Sequence, residues 1–211
     1  MVFAIDFDNT ISTHHYPFTG RLIPFAKEII NLLQDNGHTC FLWTVRGYDK
    51  INKYGYKDPN GVFDSLTFAL EFCESHGIHF KYANQSPIHP SSSPKQLADY
   101  VIDDINIGCP LMMFLGYRVV DWLKVGEELV KIGAITQEQL DDLKKIKRHE
   151  GIKFVTQIRG GDIQYLRCMI GSDLVDEFIS LGFIEIDENP IEGYWCITRL
   201  GDAYYKEFSV C

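Results

Sequence analysis

The 211-residue sequence lacks the long hydrophobic runs, the paired cysteines and the basic excess that mark several broad classes of protein. No apolar run approaches the ~20 residues that a membrane-spanning helix needs. The six cysteines are scattered, with no Cys-x-x-Cys pair and no histidine at zinc spacing, which favours reduced thiols. The net charge of −9 argues against binding nucleic acid through bulk electrostatics.

The composition instead favours a folded protein with a substantial core. Apolar residues make up 45% of the chain and aromatic residues 13%, which is ample for packing and argues against disorder. The length suits one large domain, or a medium domain followed by a small one. The N-terminus enters an apolar stretch almost at once, so we expect a soluble cytoplasmic protein without membrane contact.

Two aspartates follow the first apolar stretch, one residue apart. Val2 to Ile5 and Phe7 are apolar, as expected of a strand buried on both faces of a parallel sheet, and Asp6 and Asp8 lie at its end. Like charges this close raise each other's cost of ionisation unless a cation lies between them. Hard carboxylate oxygens suit Mg²⁺. Alone, the pair is a weak signal, since a loop start is the commoner explanation.

The next hundred residues predict a parallel α/β sheet. A helix is expected from about Pro24 to Asn36-Gly37, and a buried strand over 38–45 follows it and leads to Thr44 and Arg46. This β-α-β unit implies parallel strands with a right-handed crossover. A second helix is expected over 63–76. Ligands collect at the carboxyl ends of such strands.

A second acidic pair strengthens the case for a cation. A short third strand is expected over 78–83, and a loop rich in serine and proline then leads to Lys95. The last strand, Tyr100 to Ile102, is expected to be buried and ends directly in Asp103 and Asp104. Two strands that both end in acids are best explained by a shared cation.

This ordered set of residues resembles the four motifs of the haloacid dehalogenase superfamily of phosphohydrolases. The resemblance covers roughly residues 1–130, and the sequences around the motifs are most similar to those of small bacterial and phage members. It implies a Rossmann-like parallel sheet. The residues that carry it are Asp6-x-Asp8-x-Thr10, Thr44, Lys95 and Asp103-Asp104, with Trp43-Thr44-Val45-Arg46, Ile102-Asp103-Asp104-Ile105-Asn106-Ile107-Gly108 and Val120-Asp121-Trp122.

The resemblance implies a catalytic role for four residues. Asp6 would be the nucleophile that forms an aspartyl-phosphate, and Asp8 would act as general acid and then as base. Thr44 would hydrogen-bond a phosphoryl oxygen, and Lys95 would neutralise developing charge. Taken singly, Thr44 is as well explained by strand propensity and Lys95 by a solvated loop.

The resemblance also implies a magnesium site. Its ligands would be the Asp6 side chain, the Asp8 backbone carbonyl and one residue of the final pair. By the pattern of family members ending in paired acids, Asp104 is favoured as the direct ligand and Asp103 as the residue that supports it.

Three further residues are candidates for substrate binding. Thr10 would stabilise the turn after the strand and lie beside the substrate. Arg46 could pair with phosphate or carboxylate, with a surface salt bridge as the equal alternative. His14 begins the segment where a flap would form and could contact the substrate, as could its neighbour His15. The alternative for both residues is a solvated histidine in a surface loop.

The short segments between the motifs leave no room for a large inserted cap. An open site would admit a bulky or polymeric phosphorylated substrate, or would be closed by another domain or subunit. This predicts an Mg²⁺-dependent phosphomonoesterase. The alternatives are a nucleic-acid end phosphatase and a non-catalytic DNA-binding or adaptor protein that senses a phosphorylated ligand.

A composition shift near Gly133 predicts two domains, 1–132 and 133–211. The second would be a small α+β module that resembles a winged-helix domain. Its predicted elements are a helix from 137 through the basic run 144–148, a short strand over 153–158, helices over 162–169 and 172–181, a hairpin formed by 183–186 and 194–198, and a last helix from about 201.

The charge of the C-terminal segment argues against DNA binding. Residues 121–211 hold 11 Lys and Arg against 17 Asp and Glu. The helix that would enter a DNA groove carries Asp173, Asp176 and Glu177, which phosphates would repel. We therefore favour a protein-interaction role, including a homo-oligomer formed through this domain, although the basic run 144–148 points the other way.

Overall fold

The computed structural model of the protein describes residues 1–49, 63–88, 97–186 and 193–208. The chain divides into two compact units. Unit 1 comprises Met1–Met112 and Tyr117–Leu140, and unit 2 comprises Met113–Gly116 and Asp141–Cys211. The predicted boundary after residue 132 falls before this division, which lies within a helix.

The elements from β1 to α3 comprise a small parallel sheet, helices and two strand pairs. In chain order they are β1 (Val2–Ile5), α1 (Ala26–Asp35), β2 (Thr39–Leu42), β3 (Tyr48–Asp49), β4 (Phe63–Asp64), α2 (Ser65–Ser75), β5 (Tyr100–Ile102), β6 (Leu111–Phe114), whose last two residues are assigned to unit 2, β7 (Tyr117–Val120) and α3 (Trp122–Lys131). A long helix, α4 (Gln137–Ile158), follows and continues into unit 2.

The main sheet has the strand order β2-β1-β5, and both pairings are parallel. In register, Ala4 lies between Phe41 and Val101. The central strand is apolar because side chains cover both of its faces, and Phe3, Ala4 and Ile5 are buried. Helix α1 makes the crossover between β1 and β2. The predicted mixed α/β class is therefore confirmed.

Helix α1 follows the apolar spacing of its sequence. It buries Ile29, Ile30 and Leu33, and the chain leaves it through Gly37 at φ 79°. Only a residue without a Cβ adopts this conformation readily, so the predicted stop at Asn36-Gly37 is confirmed.

Two details of the predicted sheet are wrong. The segment 78–83 forms no strand, because only Ala83 makes a parallel bridge, to Leu42. Strand β5 is an edge strand instead of a fully buried one, with Tyr100 40% and Val101 38% exposed. Strand length and neighbours depend on tertiary pairing, which short apolar runs do not specify.

Unit 2 combines helices with a three-stranded antiparallel sheet. After α4 its elements are β8 (Gly160–Asp162), α5 (Ile163–Ile170), α6 (Ser172–Ser180), β9 (Ile184–Ile186), β10 (Tyr194–Ile197) and α7 (Arg199–Phe208), and the strand order is β8-β10-β9. Its own core includes Val155, Leu166, Val175, Phe178 and Trp195.

The predicted α5, α6 and hairpin are confirmed, whereas the predicted strand over 153–158 is wrong. Helix α4 continues to Ile158 and buries Ile152 and Val155 at helical spacing. Strand β8 was not predicted, because Gly160 and Gly161 are weak strand formers. Among the described residues, no helix combines the length and hydropathy needed to cross a bilayer.

Candidate functional site

Three carboxylates from the two ends of the sequence motif set converge at one edge of the sheet. Asp6, Asp103 and Asp104 each offer a carboxylate oxygen within 4.8 Å of the other two. All three side chains are half-buried. The predicted convergence of the first and last acidic motifs is therefore present in the structure.

The parallel pairing of β1 with β5 brings these residues together. Ile5 is in register with Ile102, and the backbone N–H of Asp6 donates to the Ile102 carbonyl oxygen at 3.0 Å. The carboxyl ends of neighbouring parallel strands meet at the same edge, so the acids that follow them become neighbours. The Asp103 carboxylate accepts from the Ile105 N–H at 3.0 Å.

The cluster carries unfavourable negative charge. Burial raises the pKa of Asp6 from 3.8 to about 7, and Asp103, Asp8 and Asp104 add to the rise, while a hydrogen bond from the Phe7 backbone opposes it. Burial also raises the pKa of Asp104. A divalent cation with oxygen ligands would offset this repulsion. The donor set, carboxylate oxygens only, fits a hard cation such as Mg²⁺ or Ca²⁺ and not a thiophilic metal.

Asp6→Asn is expected to stabilise the metal-free protein at pH 8 by about 2–4 kcal/mol. The raised pKa of Asp6 means that the folded state binds this proton more tightly than the unfolded state. The free-energy cost of ionising Asp6 in the folded protein is absent below pH 4 and complete above pH 7. The difference in stability between the variant and the wild type should therefore shrink as the pH falls.

Urea unfolding in a chelator at pH 8 and pH 5 measures this difference. Added Mg²⁺ should reduce it at pH 8, because a bound cation stabilises only the carboxylate of the wild type. An Asp6→Asn variant no more stable than wild type at pH 8 would contradict the account of the cluster.

Thr10 forms hydrogen bonds with both Asp6 and Asp104. Its hydroxyl donates to Asp6 Oδ2 at 3.3 Å and accepts from the Asp104 N–H at 3.2 Å. Its carbonyl oxygen accepts from the indole N–H of Trp122 at 2.6 Å, and both residues are fully buried. The prediction that Thr10 contacts substrate is wrong, because its side chain has no exposed surface. It positions the two aspartates instead.

Thr10→Val should keep the shape of this side chain and lose both hydroxyl bonds. We expect a loss of about 1–2 kcal/mol in stability and a roughly tenfold weaker affinity for a divalent cation. Thr13→Val is the matched control. Thr13 is also buried, and its hydroxyl accepts from the Arg21 N–H at 2.9 Å. Equal cation affinity in the two variants would show that Thr10 does not orient the carboxylates.

Asp8 lies apart from the three clustered carboxylates and is bound by Arg46. The Nε of Arg46 donates to Asp8 Oδ2 at 2.8 Å, and its Nη2 donates to Asp8 Oδ1 at 2.7 Å. This bidentate geometry fixes the orientation of the carboxylate. The Asp8 backbone carbonyl was the group expected to bind metal, and that role stays a prediction.

The guanidinium of Arg46 is enclosed by aromatic rings and backbone carbonyls. It lies 4.6 Å from the ring centroid of Phe7 and 5.4 Å from that of Tyr16. Its Nη1 and Nη2 also donate to the carbonyl oxygens of Pro17 and Phe18 at 2.9 and 2.8 Å. Arg46 is 1% exposed. This corrects its predicted role, because a residue so enclosed positions Asp8 and the 12–20 segment and does not offer a surface to substrate.

His14 lies next to Asp8. Its Nδ1 is 3.4 Å from Asp8 Oδ1, and its side chain is 57% exposed. The His14 backbone N–H donates to Asn9 Oδ1 at 3.0 Å, which anchors the segment. Substrate contact by His14 stays a prediction. His15 is exposed.

Thr44 follows β2 at the same edge of the sheet and is half-buried. Its backbone N–H donates to Asn84 Oδ1 at 2.8 Å, and its hydroxyl oxygen accepts from the Arg46 N–H at 3.3 Å. The hydroxyl hydrogen can therefore point elsewhere, as its predicted contact with a phosphoryl oxygen requires. Lys95 lies outside the described residues, so its predicted role stays a prediction.

Asn9 and Asn84 support the site and were not identified from the sequence, whereas Trp122 was quoted only as part of the resemblance and not as a site residue. Asn9 donates from Nδ2 to Asp104 Oδ2 at 3.3 Å, and Asn84 donates from Nδ2 to the Arg46 carbonyl at 2.9 Å. Both adopt positive φ, 56° and 53°. Asparagine tolerates this conformation. The position of each asparagine after an apolar run was the one feature of the sequence that could have indicated its role.

No family model matches the chain, and no curated protein matches it. A solved structure to which the chain is similar is described as "Structure of the conserved protein coded by locus from Bacteroides thetaiotaomicron". The two sequences are 35% identical over 62% of this chain and 89% of that one, with a TM-score of 0.45.

Proposed function

We propose that the protein is a divalent-cation-dependent phosphomonoesterase of the haloacid dehalogenase type, with Asp6 as its nucleophile and Mg²⁺ as its cation. The observation that carries the proposal is the convergence of Asp6, Asp103 and Asp104 within 4.8 Å at the ends of β1 and β5. The ordered motifs of the sequence, the parallel sheet and the support of this edge by Thr10 add to it.

Asp6 would attack the phosphorus atom of the substrate and displace the leaving oxygen. The Thr10 hydroxyl binds Asp6 Oδ2, and Oδ1 would form the new bond to phosphorus. The cation would neutralise charge on the carboxylates and the phosphoryl oxygens. The products of this step are the aspartyl-phosphate and the leaving alcohol.

Asp8 would act first as the general acid and then as the general base of the reaction. It would give a proton to the leaving oxygen and then take one from the water that attacks the aspartyl-phosphate, which releases phosphate and restores Asp6. Arg46 occupies one side of both Asp8 oxygens, so the reacting groups must approach from their other lone pairs. His14 Nδ1 also lies beside Asp8, 3.4 Å from Oδ1.

Release of nitrophenol from p-nitrophenyl phosphate tests the proposal. Wild-type protein with Mg²⁺ should hydrolyse it, and both a chelator and Asp6→Asn should abolish the activity. Asp64→Asn is a matched control, because Asp64 caps α2 and asparagine also serves as a cap. A wild type that binds phosphate without turnover would favour the rival role of a phosphate sensor.

For the C-terminal unit we propose a winged-helix-like fold. The order of its elements, α4-β8-α5-α6-β9-β10-α7, and the strand order β8-β10-β9 support the proposal. Two acids of α6 are paired, Asp176 with Arg167 at 2.6 Å and Glu177 with Arg148. These pairs occupy arginines that could otherwise contact phosphates, so a protein-binding role is favoured over DNA binding. A gel shift of the full chain at moderate salt would argue for the nucleic-acid alternative.

A further inference from the structure

Asn84 forms hydrogen bonds with three alternate residues at and beyond the end of β2. Its backbone N–H donates to the Leu42 carbonyl oxygen at 2.7 Å. Its side-chain Oδ1 accepts from the Thr44 N–H at 2.8 Å, and its Nδ2 donates to the Arg46 carbonyl oxygen at 2.9 Å. Bonds to every second residue are the pattern of a strand ladder, so this one asparagine takes the place of further strand residues at the edge of the sheet.

The backbone around Asn84 begins the pairing that its side chain continues. The Leu42 N–H donates to the Tyr82 carbonyl oxygen at 3.1 Å, and Ala83 forms the parallel bridge with Leu42. Asn84 then adopts φ 53° and is half-buried. An asparagine tolerates this conformation, and its short amide offers one acceptor and one donor group close to the backbone.

The two residues that the Asn84 amide binds lead directly to the chemistry proposed above. Thr44 is the residue predicted to bind a phosphoryl oxygen. Arg46 binds Asp8 through its Nε at 2.8 Å and its Nη2 at 2.7 Å. The Thr44 hydroxyl oxygen also accepts from the Arg46 N–H at 3.3 Å. A shift of the Asn84 amide would therefore move the phosphoryl contact and the partner of the general acid together.

We infer that Asn84 is a positioning residue for phosphoryl transfer, which orients Thr44 toward the phosphoryl group and Arg46 toward Asp8. The inference rests on the proposed function, because both residues matter only if that reaction takes place. Asn84 acts through them, since the oxygen and the nitrogen of its amide are both bonded to backbone groups. A placement error of about 1 Å at a catalytic group can lower a rate about a hundredfold.

Binding of inorganic phosphate to Asp6→Asn protein in excess Mg²⁺ tests the effect on Thr44 without turnover. Glycine accepts the positive φ of position 84 and removes only the amide. We expect Asn84→Gly and Thr44→Val each to weaken the phosphate affinity about tenfold. Together they should weaken it little further, because Asn84 would act on phosphate through the Thr44 hydroxyl. Unchanged affinity in Asn84→Gly, or losses that multiply, would overturn this part of the inference.

Two aryl esters test the effect on Arg46 and Asp8. The leaving oxygen of phenyl phosphate needs a proton from Asp8, whereas that of p-nitrophenyl phosphate needs little protonation. Asn84→Gly should therefore lower kcat/KM about fivefold more for phenyl phosphate than for p-nitrophenyl phosphate. Equal losses for the two esters would show a structural role alone and overturn this part. Asn84→Asp keeps the acceptor and the tolerance of positive φ, so it is the second variant and should change the ratio in the same direction.

Asn36→Gly is the matched control. The Asn36 amide donates to the Ala134 carbonyl oxygen at 3.0 Å and accepts from Gln139 Nε2 at 3.0 Å, but Asn36 lies before β2. This variant should leave the phosphate affinity and the ratio of the two esters unchanged. A wild type that hydrolyses neither ester, combined with tenfold weaker phosphate binding in Asn84→Gly, would reject the phosphatase and retain Asn84 as part of a phosphate site. An active wild type whose Asn84→Gly variant changes neither value would overturn the inference alone.

Discussion

Arg46→Met is expected to lower the free energy of unfolding by about 3–5 kcal/mol. The substitution leaves Asp8 without its bidentate partner and removes the donors to the Pro17 and Phe18 carbonyls. The side chains of Arg46 and Asp8 are 0% and 15% exposed, so water compensates little for the loss. Phosphatase turnover should fall at least a hundredfold, because Asp8 and the 12–20 segment lose their fixed orientation.

Urea unfolding and p-nitrophenyl phosphate hydrolysis measure these two losses. Arg159→Met is the control, because Arg159 binds Asp202 with similar geometry but is 62% exposed, and we expect a loss below about 1 kcal/mol. Arg46→Lys should be intermediate, since an ammonium cannot reproduce the two parallel bonds. Equal effects of Arg46→Met and Arg159→Met on stability would contradict the burial argument.

Asp8→Asn should reduce turnover by about a hundred- to ten-thousandfold. An amide cannot accept the proton of the attacking water, so the aspartyl-phosphate on Asp6 should accumulate. With p-nitrophenyl phosphate, whose leaving group needs little protonation, we expect a burst of nitrophenol close to one per chain and then slow release. Stopped-flow absorbance measures the burst and the following rate.

The matched variant is Asp99→Asn. Asp99 accepts from the Val2 N–H through Oδ2 at 2.8 Å and lies just before β5. Its substitution removes one negative charge at a residue that has no predicted catalytic role. Asp99→Asn should hydrolyse the ester without a burst. An Asp8→Asn enzyme with wild-type turnover would remove Asp8 from the mechanism.

The strand-end aspartates were predictable because chain direction alone places them. Parallel strands that each end in acids put Asp6, Asp103 and Asp104 on one edge, whatever the details of packing. The buried position of Thr10 and Arg46 was not predictable in the same way. A threonine or an arginine after a strand has the same local sequence whether it is exposed or enclosed, and enclosure here depends on Trp122 and Tyr16, which are distant in the sequence.

The same distinction holds for the elements. The Asn36-Gly37 stop is a local property of backbone sterics and could be predicted from two residues. The two strand predictions that were wrong, over 78–83 and over 153–158, concern segments whose conformation depends on the elements they pair or pack with. Ala83 pairs with β2 at a single bridge, and Val155 packs in the core of unit 2 as part of a helix.

Calorimetric titration of Mg²⁺ at pH 8 tests the convergence of the carboxylates most directly. We expect one site per chain, with an affinity at least tenfold weaker in Asp6→Asn and in Asp104→Asn, a smaller loss in Asp103→Asn and none in the Asp64→Asn control. Unchanged Mg²⁺ affinity in Asp6→Asn and Asp104→Asn would contradict it, because the three acids would then share no cation.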